Sequence, residues 1–175
     1  MYLVSIYFDN NTDKKIRQYM NRVAEVTGNQ YMIEGQVPPH ITISAFETKQ
    51  ESKVIEQLDK MAQELKRGTL QWASVGVFLP YVIFLAPVLN EYLHDLSVKV
   101  YDSIVDVEGI TISRFYQPLQ WMPHTTVAKK LTEEEMSVAF KVLQKSFRMF
   151  SGEVTRIGVA KTNPYQEIIN WDFDL

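Results

Sequence analysis

A five-residue pattern occurs twice in the chain: a proline, a histidine, any residue, a threonine and a hydrophobic residue. The first copy spans residues 39–43 and the second spans residues 123–127. The chain has only three histidines, and two of them lie in this pattern. Proline resists the helix interior and favours extended backbone, so each copy is predicted to open a β-strand. The fold must therefore accommodate two similar strands that each carry a histidine.

Side chains two residues apart in a strand point to the same face of the sheet. His40 is therefore expected to project together with Thr42, and His124 together with Thr126. The residues between them should face a core, although Thr125 puts a hydroxyl on that apolar face. A structural interpretation of the pattern is a pair of buried histidines satisfied by neighbouring hydroxyls. Two copies at matching places in a repeated pattern favour a functional interpretation.

The chemistry of phosphodiester cleavage explains why such residues would be paired. The reaction needs a base on the attacking oxygen and an acid on the leaving oxygen, and histidine serves both because its pKa lies near neutral pH. Threonine hydroxyls can donate hydrogen bonds to the non-bridging oxygens and stabilise the charge of the transition state. The two strands therefore predict a phosphoesterase site that uses no metal.

Hydrophobic periodicity predicts alternating helices and strands along the rest of the chain. After the strand Tyr2–Phe8, each half is predicted as a helix, a histidine strand, a helix and two strands. The predicted elements are a helix from Asn11 or Thr12 to Gly28, a strand at 40–46, a helix at 52–66, strands at 69–79 and 81–88, a helix at 90–105, a strand at 124–129, a helix at 133–147, and strands at 151–161 and 167–173. This repetition predicts one domain over residues 1–175, made of two pseudo-symmetric lobes with motifs at 40–43 and 124–127.

Composition excludes several other classes of protein. The chain has no cysteine, which excludes disulfides, thiol catalysis and cysteine-bound metals. Its net charge is -3, whereas a protein that tracks long nucleic acids usually carries a basic surplus. It has neither a glycine-rich phosphate loop nor a segment resembling a signal peptide or a membrane span. We therefore expect a cytoplasmic monomer that binds a small phosphodiester or an RNA end, with no membrane contact.

The two histidine-threonine motifs, about eighty residues apart in a duplicated chain, resemble those of the 2H phosphoesterase superfamily, and in particular its 2′-5′ RNA ligase (LigT-like) group. This resemblance implies a bilobed α+β fold in which two antiparallel sheets flank a central cleft and helices pack on the outside. It implies that His40, Thr42, His124 and Thr126 are catalytic, and that no cofactor is needed. The implied substrates are 2′,3′-cyclic phosphate ends or short 2′-5′-linked oligonucleotides, with 2′-5′ RNA ligation as the reverse reaction.

Four further residues are expected to bind substrate. The resemblance places Phe46 on the cleft wall and Lys129 at a basic position after the second motif, where an arginine is common in the group. Arg114 is a candidate phosphate ligand, and Tyr165 is a candidate ring at the final turn. The segment 115–122 is either a packed loop or a lid whose aromatic rings stack on a base.

Two other functions remain open from the sequence. One is a non-catalytic module that binds RNA ends or nucleotides. The other is a metallohydrolase that combines the histidines with carboxylates, although neither motif contains a carboxylate. The sequence also leaves open which histidine acts as the acid and which as the base.

Overall fold

The computed structural model describes residues 1–162 and 164–173, and within them it shows eight strands and five α-helices. The strands are Tyr2–Phe8 (β1), Ile41–Glu47 (β2), Gly68–Phe78 (β3), Val82–Pro87 (β4), Thr111–Ile112 (β5), Thr125–Ala128 (β6), Phe150–Lys161 (β7) and Gln166–Asp172 (β8). The helices are Asn10–Thr27 (α1), Tyr31–Glu34 (α2), Glu51–Ala62 (α3), Glu91–Ile104 (α4) and Glu133–Ser146 (α5), with a 3₁₀ turn at Arg114–Tyr116. The predicted α+β class is confirmed.

Polar side chains set the ends of the helices. Thr132 and Glu135 form a capping box at the start of α5, the helix predicted at 133–147. The cap of α1 is Asp9, whose Oδ1 accepts hydrogen bonds from the backbone N–H groups of the next turn at 2.9 and 3.1 Å. The predicted cap, Asn11 or Thr12, was therefore two or three residues too late, because the carboxylate of Asp9 outcompetes both.

The end of α3 also differs from the prediction. The helix stops at Ala62, not at residue 66, and Gly68 begins β3. Leu65 continues the apolar period of the helix, but its side chain is buried in a turn that follows α3. A periodic apolar residue just beyond a helix end is enough to lengthen a prediction made from periodicity.

All strand pairs are antiparallel, in the order β5-β2-β1-β7-β3-β4-β6, with β8 also paired to β7. The long strand β7 joins two arms of this sheet. Its residues 150–154 pair with β3, while its residues 156–161 pair with β8, and β1 runs along residues 154–161. The two expected sheets are therefore two arms of one hydrogen-bonded network that share β7.

The two arms repeat one arrangement that differs from the predicted grouping. The order β7-β1-β2 in one arm matches β3-β4-β6 in the other. Each unit thus reads strand, helix, histidine strand, helix, strand, with β1 matching β4, and β8 lying outside the repeat. The helices follow the same scheme, because α1 packs on α5 and α3 packs on α4. The sequence pattern missed this grouping because the hairpin β3-β4 crosses the boundary between the units.

The core lies between the helices and one face of the sheet, and Trp72 is at its centre. Trp72 is fully buried, its ring stacks on Phe150 at 5.0 Å and meets Phe8 edge-on at 4.9 Å. Its indole N–H donates to the Thr125 hydroxyl at 3.1 Å. This bond explains why a threonine lies on the apolar face of β6, since a buried indole N–H needs an acceptor. Within the described residues, the helices are too short or too polar to cross a membrane.

Candidate active site

The two motif histidines make the same hydrogen bond. Each lies immediately before its strand, His40 before β2 and His124 before β6. Nδ1 of His40 lies 2.8 Å from the carbonyl oxygen of Pro38, and Nδ1 of His124 lies 2.9 Å from that of Met122. A carbonyl oxygen only accepts hydrogen bonds, so Nδ1 carries the proton in both rings. Both Nε2 atoms are therefore left to exchange protons with a ligand.

The two imidazoles influence each other's charge. Burial lowers the pKa of His40 from its ordinary value of 6.5, and the charge of His124 lowers it further, while the hydrogen bond to Pro38 opposes both. Burial likewise lowers the pKa of His124, opposed by the bond to Met122. Both rings are half-buried. Burial thus favours the neutral form of both histidines, and the charge of His124 reaches His40.

A β-bulge places Thr42 beside His40. Ser5 of β1 pairs with Thr42, but Val4 pairs with Ser44, so Ile43 is an extra residue in β2. Cross-strand partners point to the same face, and Val4 points into the core. Thr42 therefore shares the opposite face of the sheet with Ser5, and we call this the site face. The Ser5 and Thr42 hydroxyl oxygens are 3.4 Å apart there.

The bulge also corrects the prediction for Phe46. Strict alternation would put Phe46 on the same face as His40, but the extra residue Ile43 shifts everything after it to the opposite face. Phe46 is only 2% exposed, pairs with Tyr2 and stacks on its ring at 5.3 Å. Phe46 therefore belongs to the core and does not line a cleft wall.

The second motif contains a bulge at the equivalent position. Thr126 pairs with Phe84 of β4, whereas Ala128 pairs with Ile83, so Val127 is the extra residue in β6. Ile83 is fully buried in the core, while Phe84 lies beside His124. Thr126 thus faces the site with its histidine, as predicted. The hydrophobic residue that ends each motif is the bulged residue.

Aromatic rings surround His124. Phe78 meets the imidazole edge-on at 4.8 Å, and Phe84 lies 5.4 Å from it. The Phe84 ring fits because it lies over Gly76. A cavity of about 420 Å³ opens beside these rings, and its lining residues are Phe78, Phe115, Tyr116, Gln120, Met122 and His124. The site therefore has an aromatic end at the second motif.

The segment that carries Arg114 borders this cavity. Burial raises the pKa of Tyr116, and a hydrogen bond with the side chain of Thr42 opposes the rise. Tyr116 also lines the aromatic cavity, so the loop contributes a half-buried ring to that end of the site. Arg114 is exposed and its guanidinium lies 4.9 Å from the ring of Phe115. Phe115 itself is 66% exposed, so this ring is not packed into the core.

The other two predicted ligands lie at different distances from the histidines. The Tyr7 ring lies 6.3 Å from that of His40, and its hydroxyl is 3.4 Å from the Tyr165 hydroxyl. Tyr165 is thus connected to the site through Tyr7. Lys129 is exposed just after β6, and none of the hydrogen bonds or ion pairs between described residues joins it to the site.

Sequence reasoning missed the residues that neighbouring strands bring to the motifs. Ser5 and Tyr7 come from β1, and Phe78 and Phe84 come from the β3-β4 hairpin. The alternation of Ser5 and Tyr7 with the aliphatic residues Val4 and Ile6 in β1 was a usable signal, but it could not reveal which strand lies alongside. Among the described residues, no three histidine, aspartate or glutamate side chains are grouped so that they could hold a metal ion.

Comparison with known proteins finds similarity to one superfamily over most of the chain. The family model of the 2′-5′ RNA ligase superfamily matches residues 13–165. A curated protein of Bacillus licheniformis, classed by inference as a phosphoesterase, is 30% identical over 106 residues. That match spans 58% of this chain and 58% of the relative, less than two thirds of its length.

Solved structures share the fold at low sequence identity. LigT of E. coli in complex with 3′-AMP is similar with a TM-score of 0.63 and 14% identity, over 99% of this chain and 98% of that chain. A second crystal structure, described as a phosphoesterase, has a TM-score of 0.62 and 15% identity, with the same coverage. At these identities the likeness shows the fold, including the predicted bilobed LigT-like architecture.

Proposed function

The chain belongs to the 2′-5′ RNA ligase superfamily, and from this membership we propose that it is a metal-independent phosphoesterase that acts through His40 and His124. Its substrates are 2′,3′-cyclic phosphate ends or short 2′-5′-linked oligonucleotides. One observation carries the proposal: both imidazoles donate from Nδ1 to a backbone carbonyl two residues earlier, which leaves both Nε2 atoms available. A pair of core histidines would not need this matched arrangement.

The proposed reaction moves one proton at each histidine. Nε2 of the neutral histidine takes a proton from water while the water oxygen bonds to phosphorus. The protonated histidine gives its Nε2 proton to the leaving ribose oxygen as the phosphorus–oxygen bond breaks. If a ribose 5′-hydroxyl attacks the cyclic phosphate in place of water, its oxygen bonds to phosphorus, the 3′ oxygen leaves and takes the proton, and the product is a 2′-5′ linkage. Either histidine can fill either role, because each presents the same ring nitrogen.

The motif threonines stabilise the phosphate in this proposal. Thr42 and Thr126 occupy matching positions on the site face, each two residues after its histidine. Their hydroxyls donate to the non-bridging oxygens, whose charge grows in the transition state. The Ser5 hydroxyl donates a hydrogen bond to the Thr42 hydroxyl or accepts one from it, and so restricts the directions in which the Thr42 hydroxyl can point.

The size and lining of the cavity beside His124 support a small nucleotide substrate. E. coli LigT has been crystallised with 3′-AMP, with ATP and with phosphate. The aromatic lining offers ring faces for a nucleobase, and stacking on such faces tolerates different bases. The overall charge of -3 agrees with a short substrate better than with long RNA.

The proposal is tested by hydrolysis of adenosine 2′,3′-cyclic phosphate in the presence of EDTA. We expect turnover by the wild type, and its loss in His40→Ala and in His124→Ala. The matched control is His94→Ala, which removes the third histidine, a half-buried residue of α4. Near wild-type turnover in either motif variant would overturn the proposal. Binding of the cyclic nucleotide without any turnover would favour a nucleotide-binding module, and turnover that requires added metal would favour a metallohydrolase.

A further inference from the structure

Arg156 lies on the site face beside the first motif. It is the direct partner of Tyr7 across β1 and β7, so the two side chains share a face. The guanidinium carbon lies 4.5 Å from the centre of the Tyr7 ring. The same ring lies 6.3 Å from that of His40. Tyr7 therefore separates Arg156 from the reacting histidine by a single side chain.

No ion pair with the residues that the structure describes neutralises the charge of Arg156. Among the described residues, no carboxylate oxygen lies within 4.0 Å of its side-chain nitrogens. Asp172 is the cross-strand partner of Arg156 on β8, but its side chain is exposed and forms no ion pair with the guanidinium. Arg17 is nearby and is already held by Asp13, with Nε and Oδ2 2.6 Å apart. Arg156 is half-buried, and its donors remain available to a ligand.

A second cavity lies against these groups and reaches Pro38, two residues before His40. Its volume is about 390 Å³, and its lining residues are Tyr7, Phe8, Asn10, Asp13, Arg17, Pro38, Thr155, Arg156 and Asp172. Pro38 supplies the carbonyl that accepts the hydrogen bond of His40, so this cavity begins where the first motif is anchored. Most of its lining is polar or charged, whereas the cavity beside His124 is aromatic. The two ends of the site thus differ in chemistry.

We propose that Arg156, supported by the Tyr7 ring, binds a second phosphate group of the substrate in the cavity next to His40. A guanidinium presents two parallel N–H donors that match two oxygens of a phosphate, and stacking on an aromatic ring fixes the orientation of this fork. The inference rests on the proposed function and narrows it. The preferred substrates are nucleotides or RNA ends with a phosphate besides the one that reacts, such as a nucleoside 2′,3′-cyclic phosphate that also carries a 5′-phosphate.

The test compares the binding of adenosine 3′,5′-bisphosphate and adenosine 3′-monophosphate by isothermal titration calorimetry. We expect the wild type to bind the bisphosphate about tenfold more tightly or better, because a charge-assisted pair is worth that much. Arg156→Gln should remove this preference and leave the affinity for the monophosphate within about twofold. Arg156→Lys should retain part of it, since lysine keeps the charge without the fork.

The matched control is Lys145→Gln, which makes the same change of charge on the exposed last turn of α5. It should leave the preference intact. Equal binding of the two ligands by the wild type, or an equal loss of preference in the Lys145 variant, would overturn the inference. Because binding does not require turnover, a wild type that prefers the bisphosphate but hydrolyses no cyclic nucleotide would refute the proposed function and leave the phosphate subsite standing.

Discussion

Replacement of Gly76 by alanine tests whether the aromatic end of the site positions His124. A Cβ atom at Gly76 would lie 2.4 Å from Cζ and 2.5 Å from Cε2 of Phe84. Ordinary contact begins at 3.4 Å, so the ring would have to retreat by about 1 Å. Phe84 is only 2% exposed. The centre of its ring lies 4.4 Å from that of Phe78, and the ring also packs beside His124. The retreat must therefore disturb the imidazole.

The expected magnitude follows from two opposing effects on the free energy of unfolding. Overpacking of a filled site costs about 1–3 kcal/mol. Alanine also lowers the conformational entropy of the unfolded chain, which stabilises the folded state by about 0.4–1 kcal/mol. This gain applies at Gly76 because its backbone does not have a positive φ. The net loss is about 1–2 kcal/mol, which corresponds to a fall in Tm of about 2–8 °C for a chain of this length. A displacement of about 1 Å at a catalytic group lowers kcat by about 100-fold.

The assay measures Tm and the kcat for adenosine 2′,3′-cyclic phosphate in Gly76→Ala and in a matched control. The control is Gly68→Ala, at the other end of β3, where the new Cβ would lie 2.3 Å from the ring of Tyr92. Both variants add a methyl group against an aromatic ring, but Tyr92 belongs to α4 and touches neither motif histidine. We expect both to lose stability and only Gly76→Ala to lose turnover.

A second substitution separates the clash from the loss of glycine itself. Phe84→Leu shortens the side chain that meets the new methyl group, so the double variant should be more stable than the sum of the single changes predicts. The reasoning is refuted if Gly76→Ala loses stability but retains kcat, because Phe84 would then not position His124. It is refuted equally if Gly68→Ala loses the same turnover.

Three further predictions concern the core, the pH dependence and a helix cap. Thr125→Val keeps the shape but leaves the buried indole N–H of Trp72 without an acceptor, so chemical denaturation should show a loss of about 1–3 kcal/mol. The profile of kcat/KM against pH should be a bell with its maximum below pH 6.5, because the pKa values of His40 and His124 are both lowered from that value. Activity falls above the maximum as the acid loses its proton and below it as the base gains one, and a maximum above pH 7 would contradict this. Thr132→Ala removes the side-chain acceptor of the capping box, so urea unfolding should show a loss of about 1 kcal/mol with unchanged kcat.

Local signals in the sequence predicted the elements well, because their causes are local. The run Tyr2–Phe8 coincides with β1, and α5 begins at Glu133 as predicted. The two motif histidines and threonines also reach one site face, since each pair is only two residues apart in its strand. The histidine and the threonine of each motif are only two residues apart, so no bulge lies between them to change the face of the second residue.

Errors appeared where the outcome depends on pairing between distant segments. The resemblance placed Phe46 on the cleft wall, but the bulge at Ile43 lies between His40 and Phe46 and turns the ring to the core face. The neighbours of the histidines were missed for the same reason. Tyr7 and Arg156 are far apart in sequence and meet only because β1 pairs with β7 in one register. No local pattern contains that information.

The two bulges explain why each motif ends in a hydrophobic residue. Before the bulge, the histidine and the threonine of each motif face the site. After the bulge, the residues that would have continued on that face, such as Phe46, face the core instead. Ile43 and Val127 are 1% exposed, so the extra residue of each strand is anchored by burial. Burial of a polar side chain at this position would cost free energy, because the side chain would lose its hydrogen bonds to water. The substitution would therefore favour a regular strand without the bulge. The hydrophobic position therefore belongs to the site as much as the threonine does, because the bulge at this residue lets the histidine and threonine face the site while the rest of the strand faces the core.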